Sequence, residues 1–153
     1  MIRKLALLFV FLATFSVVYA FPYHLNKRAA TFGYCQGASQ DLAIISNVKL
    51  SPNPPKVGSN LKVKGSATTN TNIVDGDSFI FAIVDAVTDD TLFLGPFVDI
   101  CSKTTCPTTT INFGEHYNLK LNVTSLPAKY NVGVLIGTGL SKIKACGEAH
   151  FPE

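Results

Sequence analysis

The sequence predicts an all-β chain, an antiparallel sandwich or barrel of about seven short strands, and three observations predict it. First, Asn60–Ala67 and His116–Thr124 alternate polar and apolar residues without a break. Such a period of two gives a strand one wet and one buried face. Second, Phe79-Ile80-Phe81-Ala82-Ile83-Val84 is apolar at both parities, as suits a strand covered on both sides. Third, turn residues punctuate these runs at Pro52-Asn53-Pro54-Pro55, Val57-Gly58-Ser59, Asp75-Gly76-Asp77 and Asp89-Asp90. No stretch of the body combines helical periodicity with caps.

In chain order, residues 1–20 read as a secretory signal peptide. Arg3-Lys4 precedes an apolar run from Leu5, with a small-residue exit at Ala20. Residues 21–28 form a short propeptide or linker ending in Lys27-Arg28, a dibasic pair that suits processing, and residues 29–153 are the domain. Strands are expected at 43–50, 60–67, 79–84, 91–100, 116–124, 130–136 and 143–151. Gly95-Pro96 marks an edge or bulge within the fourth. Thr68–Asn72 reads as a polar loop. Tryptophan is absent, which argues against an antibody-type domain.

The 153 residues are 47% hydrophobic and 15% charged, which excludes global disorder. The net charge of +3 misleads, because four of the 13 basic residues precede residue 29. Without them nine Lys/Arg face ten Asp/Glu. This near-neutral body lacks the basic balance of a nucleic-acid binder. Cys35, Cys101, Cys106 and Cys146 all follow the leader. In an oxidising compartment an even count reads as two disulfides with three possible connectivities. Cys101 and Cys106 are close enough to close a small loop, which would leave Cys35 and Cys146 to join the ends of the body. The spacing lacks the paired C-x2-C knuckles of a zinc site. Asn122-Val123-Thr124 is a glycosylation acceptor on an expected strand, usable if it faces solvent.

Catalytic chemistry finds little support. His116 and His150 are far apart, with no carboxylate at a telling spacing, and no phosphate loop, H-E-x-x-H or G-x-S-x-G occurs. Asp75, Asp77, Asp89 and Asp90 are explained by turns. The Cys101–Cys106 loop lacks the C-x-x-C spacing of redox enzymes. The expectation is a non-enzyme without metal or cofactor.

The sequence does hold an aromatic surplus, 11 Phe and 5 Tyr. Around it, Leu50-Ser51-Pro52-Asn53-Pro54-Pro55-Lys56-Val57-Gly58 resembles the Ser-Pro-Asp-Pro-Pro-Lys turn of fungal proteins of the MD-2-related lipid-recognition (ML) family. Val98-Asp99-Ile100-Cys101 with Cys106-Pro107 resembles that family's small disulfide loop, and Leu126–Val132 its Leu-Pro turn. Cys35 and Cys146 fit its end-joining disulfide. The likeness spans residues 31–152. Its members include fungal phosphatidylglycerol/phosphatidylinositol transfer proteins and the sterol-carrying Niemann–Pick type C2 protein. A further cysteine pair of the sterol carriers is missing here, which puts a sterol preference in doubt.

The resemblance implies an immunoglobulin-like two-sheet sandwich with an apolar cavity between the sheets. It also implies a lipid partner, phospholipid or sterol, carried between membranes with transient membrane-surface contact. The carrier would be a monomer, secreted or in a vacuolar-lysosomal lumen. Phe93, Pro127, Ala128 and Tyr130 correspond to the pocket mouth of the sterol carriers, and Phe79 and Phe81 join them as lipid-contacting candidates. If Phe93 and Tyr130 line a doorway, truncating either should spare stability. A solid-core adhesion or host-interaction module, and a lipid-presenting receptor partner of the MD-2 kind, are the other readings.

Overall fold

A computed structural model describes residues 30–37, 41–113 and 118–152. The expected leader, the Lys27-Arg28 pair and His116 lie outside the described residues. Among the described residues the regular elements are nine strands. They are β1 (Ala43–Ser51), β2 (Asn60–Ile73), β3 (Ser78–Asp85), β4 (Thr91–Leu94), β5 (Val98–Asp99), β6 (Thr108–Phe113), β7 (Asn118–Lys120), β8 (Tyr130–Thr138) and β9 (Lys142–Phe151).

The strands follow the order β4-β3-β8-β9-β1-β2-β6, with β5 also on β3 and β7 on β2. Strand β1 divides this path into two sheets. Its first residues, Ala43 and Ile44, pair in parallel with Ala145 and Cys146 of β9, while Ile45 onward pairs antiparallel with β2. The register slips between Ser46 and Lys49, where Asn47 takes φ 56°, a left-handed value that asparagine tolerates better than most residues. One sheet therefore contains β3, β4, β5, β8 and β9; the smaller one contains most of β1 with β2, β6 and β7. The fold is an all-β sandwich.

The alternation in the sequence decides which faces meet. Leu61 and Val63 of β2 and Tyr130, Val132, Val134 and Ile136 of β8 are buried in one core. Asn60, Lys62 and Lys64 stay exposed. Strand β3 is buried from Phe79 through Ile83, as its double apolar parity requires. Phe79 of β3 and Phe113 of β6 join the sheets, their ring centroids 5.0 Å apart. Each fully buried side chain of this size contributes about 1.5–3 kcal/mol.

Three expectations need correction, and one strand was not expected. The run 91–100 is two short strands: Gly95 donates its N–H to the Phe81 carbonyl at 2.7 Å, and Pro96, with no N–H, ends the ladder. Among the described residues of the run 116–124, the strand β7 stops at Lys120, because Leu121 turns its backbone to Gly58 and Ser59 instead. Thr68–Asn72 is not a loop but the second half of β2, where the Thr69 hydroxyl donates to the Thr71 and Thr109 carbonyls. Strand β6 had no counterpart among the expected elements.

Two disulfides brace the sandwich. Cys35–Cys146 closes a sequence separation of 111 residues, and Cys101–Cys106 closes a separation of five. The first fastens the N-terminal segment to β9, where Gly33 and Glu148 exchange both backbone hydrogen bonds at 2.8 and 3.0 Å. Because β1 and β9 run in parallel, Ser51 and Phe151 point to the same end of the molecule. Tyr130 pairs with Phe151 and with Asp85, so the start of β8 lies there too. The opposite end holds Ile73, Asp77 and Thr138.

Candidate functional site

The candidate residues divide between these two ends. Phe93 pairs with Ile83 across β3 and β4, so both rings of residues 81 and 93 share the inner face. Phe93 is half-buried and meets Phe81 edge-on, centroids 6.1 Å apart. On the other flank of β3, Tyr130 stacks on Phe151 at 5.2 Å and 7°. Burial pushes the Tyr130 phenol above its usual pKa. Pro127 is half-buried and Ala128 exposed in the turn just before β8. Phe93, Pro127, Ala128 and Tyr130 thus lie toward the same end of the larger sheet, whereas Phe81 sits mid-strand opposite Val134. Phe79 does not join them; it is fully buried nearer the opposite end against Phe113.

The aromatic contacts at the Tyr130 end both run within the larger sheet, whereas Phe79–Phe113 runs between the sheets. The same core cluster takes aliphatic side chains from β1, β2 and the chain after β7, among them Leu50, Leu61 and Leu121. Among the described residues, the side chains at this level of the core are apolar apart from the Tyr130 hydroxyl, which suits apolar contact.

The Asp77 end holds what sequence reasoning missed. Asp77 has no exposed surface, and its Oδ2 lies 2.5 Å from Lys144 Nζ. Val74 N–H donates to Oδ2 at 2.8 Å and the Thr138 hydroxyl to Oδ1 at 2.7 Å. Lys144 also donates to the Asn72 carbonyl at 2.7 Å. Burial alone would raise the carboxyl pKa, but the hydrogen bonds from Lys144, Val74 and Thr138, with the lysine charge, bring it below the ordinary value of 3.8. Gly76, at φ 88°, makes the turn that delivers Asp77 to this position. The turn itself was expected. An aspartate placed immediately before a doubly apolar strand was the one local signal that it would be buried.

Elsewhere, His150 is exposed, with Nδ1 2.7 Å from Asn131 Oδ1. Among the described residues no group of three or more His, Cys, Asp or Glu could hold a metal ion. Asn122 is exposed just beyond β7, in irregular chain rather than on the expected strand.

A family model, the ML domain, matches residues 29–151. The chain belongs to the ML domain family. No curated protein matches it. ML domains are generally lipid-binding proteins rather than enzymes. Together with the two disulfides, membership in the ML domain family points to an extracellular or lumenal protein.

Proposed function

We propose that this ML domain carries a single phospholipid or sterol between membranes, held in an apolar pocket between the sheets that opens at the Tyr130 end. The observation that carries the reading is the family match over residues 29–151, which spans both sheets. Phe93, Pro127, Ala128 and Tyr130 form the mouth, and Phe81 lies behind them. Phe79 takes the deepest position and contacts only a long ligand. The protein works as a monomer that touches the membrane transiently, without catalysis, metal or cofactor. It is secreted or resides in a vacuolar-lysosomal lumen, after loss of residues 1–20 and cleavage at Lys27-Arg28, with Asn122 available for glycosylation.

The energetics suit a shuttle. Burying an acyl chain of about 16 CH2 groups contributes on the order of 13 kcal/mol. A bilayer offers nearly the same, so neither side holds the lipid irreversibly. The apolar lining leaves phospholipid and sterol as two outcomes of one experiment.

A solid-core interaction module is the second reading, and the Phe79–Phe113 contact favours it, since it shows the sheets touching at that level. Transfer of fluorescent phospholipid and of fluorescent sterol between donor and acceptor vesicles separates the two. A carrier accelerates transfer in proportion to its concentration and forms no new product. A solid-core module leaves the rate at background.

A further inference from the structure

The strands of the smaller sheet, β1, β2, β6 and β7, hold four lysines and no Asp or Glu. From residue 42 to residue 74 the sequence contains no acidic residue at all. In a body whose charges nearly balance, this is a segregation by face. Lys49 stands directly opposite Lys64 in the β1–β2 ladder. Lys62 lies two residues from Lys64 on the same exposed side. Lys120 pairs with Asn60 while Lys62 pairs with Asn118, which makes the two lysines diagonal neighbours. Lys56 is exposed in the preceding turn, tied to this corner by the Gly58 N–H bond to the Leu121 carbonyl at 2.9 Å.

Like charges placed opposite each other destabilise a sheet. Yet none of these five lysines forms an ion pair with a described residue; Lys144 and Asp77 make the ion pair found among them. The acidic turn at the same end of the molecule belongs to the other sheet. Two of its three carboxylates are engaged locally: Asp85 accepts from Val87 and Thr88 N–H, and Asp90 from the Thr88 hydroxyl. Beside Lys56, Val57 leaves 45% of its surface exposed.

We propose that the outer face of the smaller sheet, formed by Lys49, Lys56, Lys62, Lys64 and Lys120 with Val57 at its rim, docks on a bilayer rich in anionic phospholipid. A one-signed sheet face matches a planar anionic surface, and ammonium groups on flexible stems bind it as point charges. An aliphatic rim suits the headgroup boundary. Among the described residues, its strands carry neither the arginines nor the exposed aromatics on which nucleic-acid bases stack. The parallel β1–β9 pairing sets these lysines at the Tyr130 end, so docking brings the mouth of the pocket to the lipid. The inference deepens the membrane contact of the carrier reading. It is measured without any transfer step, so either can fail alone.

The test is co-sedimentation with vesicles of phosphatidylcholine alone or mixed with phosphatidylglycerol. It uses Asn122→Gln protein, because the acceptor lies two residues beyond Lys120 and a glycan there would stand at the rim. Each lysine near an anionic surface contributes about fivefold in partition, so Lys49→Gln/Lys64→Gln should weaken binding to mixed vesicles about 25-fold. Its melting temperature should hold or rise, because a repulsion is removed. The equally charged control Lys103→Gln/Lys142→Gln, on exposed positions elsewhere, should bind nearly as the parent does. Raising ionic strength from about 0.1 M to about 1 M should release the parent protein. Equal losses in the two double variants would overturn the assignment, as would equal binding to pure phosphatidylcholine. Tighter binding to duplex DNA than to mixed vesicles would assign the face to a different polyanion and overturn it too.

Discussion

Lys144 Nζ lies 2.5 Å from Asp77 Oδ2, and the carboxylate it meets has no exposed surface. Those residues stand 67 positions apart, one at the start of β3 and the other in β9. With Val74 N–H and the Thr138 hydroxyl on the same carboxylate, the pair clamps the β2–β3 turn to the β8–β9 hairpin. One end of the sandwich is held by charge and hydrogen bonds. At the other, the candidate mouth is held by ring contacts.

Removing one partner of such a pair leaves a buried charge behind. Lys144→Met should cost about 3 kcal/mol of unfolding free energy. Urea denaturation checks this, and a loss below about 1 kcal/mol would mean that the pair is a surface feature.

The pH dependence of this clamp follows from its sign. The folded Asp77 carboxyl has a pKa below the ordinary 3.8, so its contribution is fully present above that value and is lost as pH falls through the folded one. Comparing Asp77→Asn with the parent should give a stability difference that is flat from neutrality to about pH 4 and shrinks below it. A difference that fades already between pH 7 and 5 would contradict this.

Phe79 and Phe93 should respond differently to truncation. Phe79→Ala empties a fully buried site and should cost about 3–5 kcal/mol. Phe93→Ala, at a half-buried position, should cost less and show its main effect as slower lipid transfer. Tyr130→Ala departs from the expectation drawn from sequence: the ring is 7% exposed and stacked on Phe151, so its loss should lower both stability and transfer. Thermal melting beside vesicle transfer reads both.

Cys146→Ser and Cys101→Ser open loops of very different size. In the chain-entropy model the 111-residue separation corresponds to about 4–5 kcal/mol, well above the five-residue loop. Secreted yield and melting temperature should therefore fall much further for Cys146→Ser.

Much of the fold was legible because it rests on local pattern. Alternation in Asn60–Ala67 and double apolarity in Phe79–Val84 report directly which faces are buried. Strand β6 escaped notice because Thr108-Thr109-Thr110 offers β-branched shape without hydrophobic contrast; only Ile111 and Phe113 reach the core. The end of β7 at Lys120 depends on Leu121 bonding to Gly58 and Ser59, some 60 residues earlier, which no window of sequence reveals. The family motifs led to Phe93 on β4 and to Pro127, Ala128 and Tyr130 at the entry to β8. The Asp77 clamp depends on Thr138 and Lys144, residues distant in sequence, and could not be read from an Asp-Gly-Asp turn.

The central claim is that the sandwich holds a lipid, and native mass spectrometry of the secreted protein tests it most directly. The account predicts a population one phospholipid or sterol heavier than the disulfide-bonded chain, with that lipid recovered on extraction. It also predicts that protein stripped of lipid regains the mass shift after incubation with vesicles. A chain that shows only its own mass, both as secreted and after vesicle incubation, would contradict it.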